Sequence, residues 1–207
     1  MLNITINCHS SIRVEGDGKV LRFDPFKLAS SPLDTDIIFV THDHFDHFSP
    51  EDITKVAKSS ALFVAPASTA ELIAKEGIDA SRITVLAPGQ SAVVDGLPVE
   101  AVASYNNNHP KEENWVGFIV TIADKRVYVA GDTDIIPEAE AVRCDIALIP
   151  AGGTYTTDAK QAAQLANTIR PEVAIPTHYG SIVGSIADGE VFKAGLDDGI
   201  SCVLLIE

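Results

Sequence analysis

Three of the chain's six histidines fall within a single stretch, Thr41-His42-Asp43-His44-Phe45-Asp46-His47-Phe48. In an extended backbone, side chains two positions apart face the same side, so His42, His44 and Asp46 can converge on one ion. His47 then points elsewhere and reaches a second ion beside the first. Imidazole combined with carboxylate is the donor set expected for zinc, manganese or iron. The ordinary alternative is a polar loop in which histidines cluster. The apolar run Asp36–Thr41 immediately upstream argues against it, because a buried strand would hold the cluster at a fixed place.

Three later residues offer the same kind of donor: His109 in NNNHPKEEN, Asp132 in YVAGDTD and His178 in IPTHYG. Taken singly, each has a plainer explanation. His109 could be a solvated loop residue, Asp132 a turn aspartate and His178 a satisfied core histidine. Read together with the first cluster, all three become candidate ligands. Tyr105, Tyr155 and Tyr179 lie near these segments. Of these, Tyr155 and Tyr179 are the candidates to steady charge developing on a substrate. Asp24 and Asp134 could orient ligand imidazoles. Trp115, just after His109, reads as core.

The order and context of these residues resemble the metallo-β-lactamase superfamily. The likeness covers nearly the whole chain. It implies an α/β fold, an αββα sandwich with its site at one edge of two sheets. It further implies that His42, His44 and His109 hold one metal, that Asp46, His47 and His178 hold the other, and that Asp132 bridges them. Asp46 and Asp132 would thus serve in catalysis as well as in binding. Two divalent ions follow, zinc first, with manganese or iron as alternatives. Asp132 sets the chain apart from true β-lactamases of the superfamily, and His44 from its flavodiiron branch. CHSSI (8–12), FDPF (23–26), GDTD (131–134), PAGGTYT (150–156) and THYG (177–180) are similar to the small metal-dependent hydrolases related to L-ascorbate-6-phosphate lactonase. The chain departs from that group at Cys8, where glycine commonly precedes the histidine. The expected reaction is hydrolysis of a small lactone or ester by a water that two cations deprotonate near neutral pH. The alternatives are a phosphodiesterase, a single-iron dioxygenase and a metal-binding protein without catalysis.

Many short elements must bring these residues together. Strands are expected over 2–7, 11–15 and 20–24, with EGDGK (15–19) as a hairpin turn. DIIFVT (36–41) reads as a central strand covered on both faces. Ser49, Pro50 and Asp52 signal a capped helix running through ITKVAKSS, ahead of a strand at 61–66. Ser68 and Glu71 suggest a second capping box, with Gly77 closing that helix. Strands continue through residue 105, then at 115–122 and 125–131 around Ala123 and Asp124. CDIALIPAG (144–152) and EVAIPT (172–177) are further strands, separated by a helix over 156–170. A helix near 188–197 and the strand ISCVLLIE end the chain.

At 207 residues and 46% hydrophobic content, with no composition shift or linker, residues 1–207 read as one domain. Fifteen basic against 29 acidic residues give a net charge of −14. That field disfavours nucleic acid and anionic lipid, and leaves a small molecule as the expected partner, with a homo-oligomer left open. Cys8, Cys144 and Cys202 form neither a CxxC pair nor a disulfide framework. No stretch is long enough to span a bilayer and the N-terminus lacks a basic leader, so a cytoplasmic location is expected.

Overall fold

Turn chemistry sets up the first sheet. Strands β2 (Ile12–Gly16) and β3 (Lys19–Phe23) are joined by Asp17 and Gly18, both in the left-handed region, at φ 51° and 74°. This is the two-residue geometry whose twist matches a hairpin. With β1 (Asn3–Ile6), β4 (Thr35–Phe39), β5 (Ala57–Ala65) and β6 (Ile83–Val85), they form a six-stranded sheet in chain order. Its first three strands are antiparallel, and β3 to β6 run parallel. The computed structural model describes residues 1–206.

The second sheet has seven strands: β7 (Ser91–Val94), β8 (Leu97–Ala103), β9 (Val116–Ile122), β10 (Lys125–Val129), β11 (Ile146–Pro150), β12 (Val173–Thr177) and β13 (Ser201–Cys202). It is antiparallel from β7 to β10 and parallel from β10 to β13. The β9–β10 turn places Ala123 and Asp124 at φ 50° and 58°. The backbone N–H of Ala123 donates to Asp17, so one hairpin turn steadies the other.

Apolar side chains from the two sheets meet in one core that includes Leu21, Phe23, Ile37, Phe39, Phe118 and Leu148. Each such side chain, fully buried, contributes roughly 1.5–3 kcal/mol of transfer free energy. Ile38, one residue from Ile37 and Phe39, faces instead the helices α1 (Pro50–Val56) and α2 (Ala67–Lys75). β4 is therefore covered on both sides, as its unbroken apolar run requires. On the outer face of the second sheet lie α3 (Pro137–Glu140), α4 (Ala159–Ile169) and α5 (Ala187–Ala194), whose cluster includes Leu165, Ile169 and Phe192. The result is the αββα sandwich. No helix among the described residues is long and apolar enough to cross a membrane.

Several boundaries differ from expectation. α1 stops at Val56 rather than continuing through Ser60, because Ala57 pairs with Thr35 and opens β5. Asp52 does not close a capping box. Ser49 Oγ accepts from the Asp52 N–H, but the Asp52 carboxylate accepts from the N–H groups of Lys27 and Leu28, tying down the loop after β3. Ser68 lies inside α2, which starts after Pro66 without a side-chain cap. The box that does form is Asp158 with Gln161, at the start of α4. α3 has no counterpart in the sequence reading. Only Ser201–Cys202 of the last segment is strand, and Glu207 lies outside the described residues.

Candidate metal centre

The donors sit where strands end. Residues 42–47 follow β4, His109 follows β8, Asp132 follows β10, His178 follows β12, and His9 follows β1. The 42–48 segment is a turn rather than an extended strand, since the N–H groups of His47 and Phe48 both reach the carbonyl of His44. That turn corrects the expected grouping of His42, His44 and Asp46. His42 and His44 gather with His109, whereas Asp46 gathers with His47, His178 and His9.

Asp132 stands between the two groups. Its Oδ1 lies 3.3 Å from His47 Nε2 and 3.2 Å from His178 Nε2, while its Oδ2 lies 4.0 Å from His42 Nε2. Asp46 Oδ2 lies 3.7 Å from His47 Nε2 and 3.8 Å from His178 Nε2. Donor separations of this size match a tetrahedral shell at zinc-type bond lengths, whose edges are about 3.3–3.6 Å. His42 Nε2, His47 Nε2, His178 Nε2 and Asp132 Oδ1 are all buried without a hydrogen-bond partner. Four orphaned polar atoms converging in the interior would be costly unless a cation satisfied them. The residues present therefore fit a metal.

The surrounding hydrogen bonds fix which nitrogens remain free. Asp24 is fully buried, and its Oδ2 accepts from His47 Nδ1 at 2.7 Å and from the Thr41 hydroxyl at 2.8 Å. Its Oδ1 accepts from the Thr41 N–H at 2.8 Å. A proton on Nδ1 leaves the Nε2 lone pair of His47 for an ion. Asp24 thus orients an imidazole as expected. Asp134 does not: its carboxyl accepts from the Asn107 N–H, and burial raises its pKa against that bond.

Electrostatics divides the histidines. Burial lowers the pKa of His42 well below the usual value, and the neighbouring His47 lowers it further. Burial also pulls His47 down, but the carboxylates of Asp132 and Asp24 outweigh it and hold the ring well above the usual value. Burial would raise Asp132, yet His47 and His178 hold it well below the usual carboxylate range. Trp115 packs behind His42, His44 and His109 with ring centroids 4.9, 4.8 and 5.2 Å away. It is core, and it forms the rear wall of one half of the site.

The two tyrosines part company. Tyr155 is 52% exposed and lines a cavity of about 320 Å³ over the donors. Tyr179 is a correction. It is wholly buried in the cluster under α5, its side chain lies against Gly189, and it is not among the residues that line that cavity. The residue that follows a ligand in sequence need not follow it into the site, because the backbone of His178 turns at φ 57°.

Sequence reasoning missed Asn106 and left His9 undecided. Asn106 Nδ2 donates to the carbonyls of Asp132 and Tyr155, and its Oδ1 accepts from the N–H groups of Asn108 and His109. Asparagine's habit of bonding backbone two residues on was the available signal. His9 Nε2 lies 3.1 Å from Asp46 Oδ2, its ring lies 3.6 Å from that of His178, and its carbonyl accepts from the His178 N–H. PAGGTYT is explained by a close approach. A Cβ on Gly152 would lie 2.2 Å from the carbonyl oxygen of His178. A larger hollow of about 710 Å³ lies on the far side of Trp115. Its Arg126 and Lys111 are already paired with Glu100 and Glu138.

Residues 3–178 match the family model described as the beta-lactamase superfamily domain. The chain is 35% identical over 210 residues to a UPF0173 metal-dependent hydrolase of Thermoplasma acidophilum, covering 93% of this chain and 90% of that one. A UPF0173 metal-dependent hydrolase of Pyrococcus abyssi is 32% identical over 225 residues, covering 99% and 96%. Among solved structures, Igni18, a metallo hydrolase of Ignicoccus hospitalis, superimposes with a TM-score of 0.78 at 25% identity, covering 100% and 96%. The fold, the donor geometry and these likenesses agree that the chain belongs to the beta-lactamase superfamily, with the metallo-β-lactamase fold, and within it to the UPF0173 metal-dependent hydrolases.

Proposed function

We propose that the chain is a metal-dependent hydrolase that cleaves a small lactone or ester at a dinuclear centre. The observation that carries this reading is Asp132, which directs one oxygen at His47 and His178 and the other toward His42. Two cations a few ångströms apart need a shared anion, and a buried carboxylate between two donor groups supplies one. His42, His44 and His109 would hold the first ion, and Asp46, His47 and His178 the second. When bound, two divalent cations supply a water that ionises near neutral pH and an electrophile for the scissile carbonyl.

The chain's own residues do the rest. Asp24 keeps the His47 ring in one orientation, and Thr41 completes that lock through its hydroxyl and its N–H. Asp46 faces the second ion's position and accepts a hydrogen bond from His9. Tyr155, at the cavity mouth, is the candidate for holding charge that develops on the substrate oxygen.

The test is a substrate panel on protein reconstituted separately with zinc, manganese and iron, with elemental analysis of each sample. Turnover of esters or lactones at about two metals per chain is the expected result. Phosphate diesters cleaved in preference, oxygen consumption by an iron form, or two metals with no turnover would each replace the reading.

A further inference from the structure

The cavity over the donors has a chemically one-sided wall. Besides the donors themselves it is lined by Phe45, Asn108, Tyr155, Ile182 and Val183. Among the described residues, no lysine or arginine lines it. Phe45, Tyr155 and Ile182 are 69%, 52% and 39% exposed, so three large apolar groups stand in water around the entrance. Contiguous apolar surface at the rim of a polar pocket marks a place where a ligand is buried.

The backbone that carries these side chains is placed close to the donors. Phe45 sits between His44 and Asp46, Tyr155 is held by the bond from Asn106 to its carbonyl, and Ile182 and Val183 follow His178 closely. Lys27 lies over the ring of Phe26, which in turn meets Phe45 edge-on. It does not enter the cavity lining. The chain as a whole carries a net charge of −14. A carboxylate or phosphate carried away from the reacting carbonyl would meet apolar walls and no lysine or arginine.

We infer that the substrate is an uncharged ester or lactone bearing an apolar group, with Phe45, Tyr155, Ile182 and Val183 as the residues that select it. This rests on the hydrolase reading above and narrows it. In the reaction, the oxygen of water bonds to the acyl carbon, the acyl C–O bond breaks, and a proton ends on the departing oxygen. The cavity volume of about 320 Å³ is at the small end of ligand sites, which limits the apolar group to a short chain or one ring.

The test compares two esters with the same leaving group and chain length on the zinc-loaded full chain: 4-nitrophenyl hexanoate and the 4-nitrophenyl monoester of adipic acid. kcat/KM should favour the neutral ester by about tenfold or more. In Ile182→Lys the preference should shrink by about tenfold through KM, with metal content unchanged. Tyr155→Lys serves as the second variant should the first fold poorly. Equal or better turnover of the adipate ester, with a ratio unmoved in both variants, would overturn the inference. Calorimetry with hexanohydroxamic acid and adipic monohydroxamic acid separates the two readings, because it needs no turnover. Tighter binding of the neutral hydroxamate without cleavage of either ester removes the hydrolase reading and keeps the wall's selectivity. Tighter binding of the charged one removes the selectivity.

Discussion

The two halves of the centre are built by different means. The half made of His42, His44 and His109 is held largely by packing, since Trp115 lies against all three rings, with one hydrogen bond from His42 Nδ1 to the Thr41 hydroxyl at 3.0 Å. His44 is exposed to solvent, and His109 Nδ1 is 3.4 Å from the Asp132 carbonyl, a long contact. In the half made of Asp46, His47 and His178, hydrogen bonds to buried groups hold two members, His47 through Asp24 and Asp46 through His9, while the His178 ring lies against that of His9. Its members are all buried. Packing confines a ring to a region, whereas a charge-assisted hydrogen bond fixes its tautomer and direction. The second half should therefore be the better preorganised, and the first the more exchangeable.

The largest effect is expected where the halves join. Asp132→Asn nearly preserves volume but removes the charge shared by the two groups, and should lower the rate by on the order of 10²–10³. Elemental analysis should show fewer metals in a folded chain. A variant with two tightly held metals and normal turnover would dissolve the comparison, because the halves would then be independent.

Next come two substitutions read side by side by metal titration. Asp24→Asn takes the carboxylate from His47 and should weaken the second half by about 10–100-fold. His44→Ala should empty the first half and leave the second occupied. Equal losses at both positions in either variant would show one cooperative unit instead.

Proton competition separates the halves more gently. In the metal-free protein His42 is held neutral, while Asp132 and Asp24 keep His47 protonated above its ordinary range. The protonated ring stabilises the metal-free fold at low pH, and that contribution is lost as pH rises through its elevated pKa. Metal entering the second half must expel this proton. Occupancy should fall as pH drops, at the second half first, and loading should release protons mainly there, as seen by calorimetry in buffers of different ionisation enthalpy. The smallest effect is predicted for Trp115→Phe. The indole N–H has no partner, so the change should cost about 1 kcal/mol in a thermal melt and leave metal content intact.

Every residue of the expected ligand set lies at the candidate centre, each in a segment that follows an apolar, readable strand. The pairing of donors was less legible. Two-residue spacing in a strand groups His42 with Asp46, and only the turn at His44 separates them. Tyr179 misled because adjacency to a ligand says nothing once the backbone enters the left-handed region. His9 and Asp24 also sit there, at φ 56° and 46°, and nothing in their local sequence declares it. Helix ends were legible where side chain and backbone cooperate locally, as at Ser49. They failed where a distant strand competed, as at Ala57, or a distant loop, as at Asp52. Long-range partners decide such cases, and a window of neighbours does not contain them.

The donors come from the strand ends of both sheets: residues 42–47 from the first, and His109, Asp132 and His178 from the second. An ion bound there is a clasp across the sandwich, joining parts of the chain more than a hundred residues apart. None of its bonds can be complete in a half-folded chain, so the ion acts on the folded state alone. At a hundredfold excess over its dissociation constant, one such ion adds about 2.7 kcal/mol to the folding equilibrium. Metal supply would then govern how long the protein persists in the cell as well as how fast it works, and a chelator would expose it to proteases by way of its own unfolding.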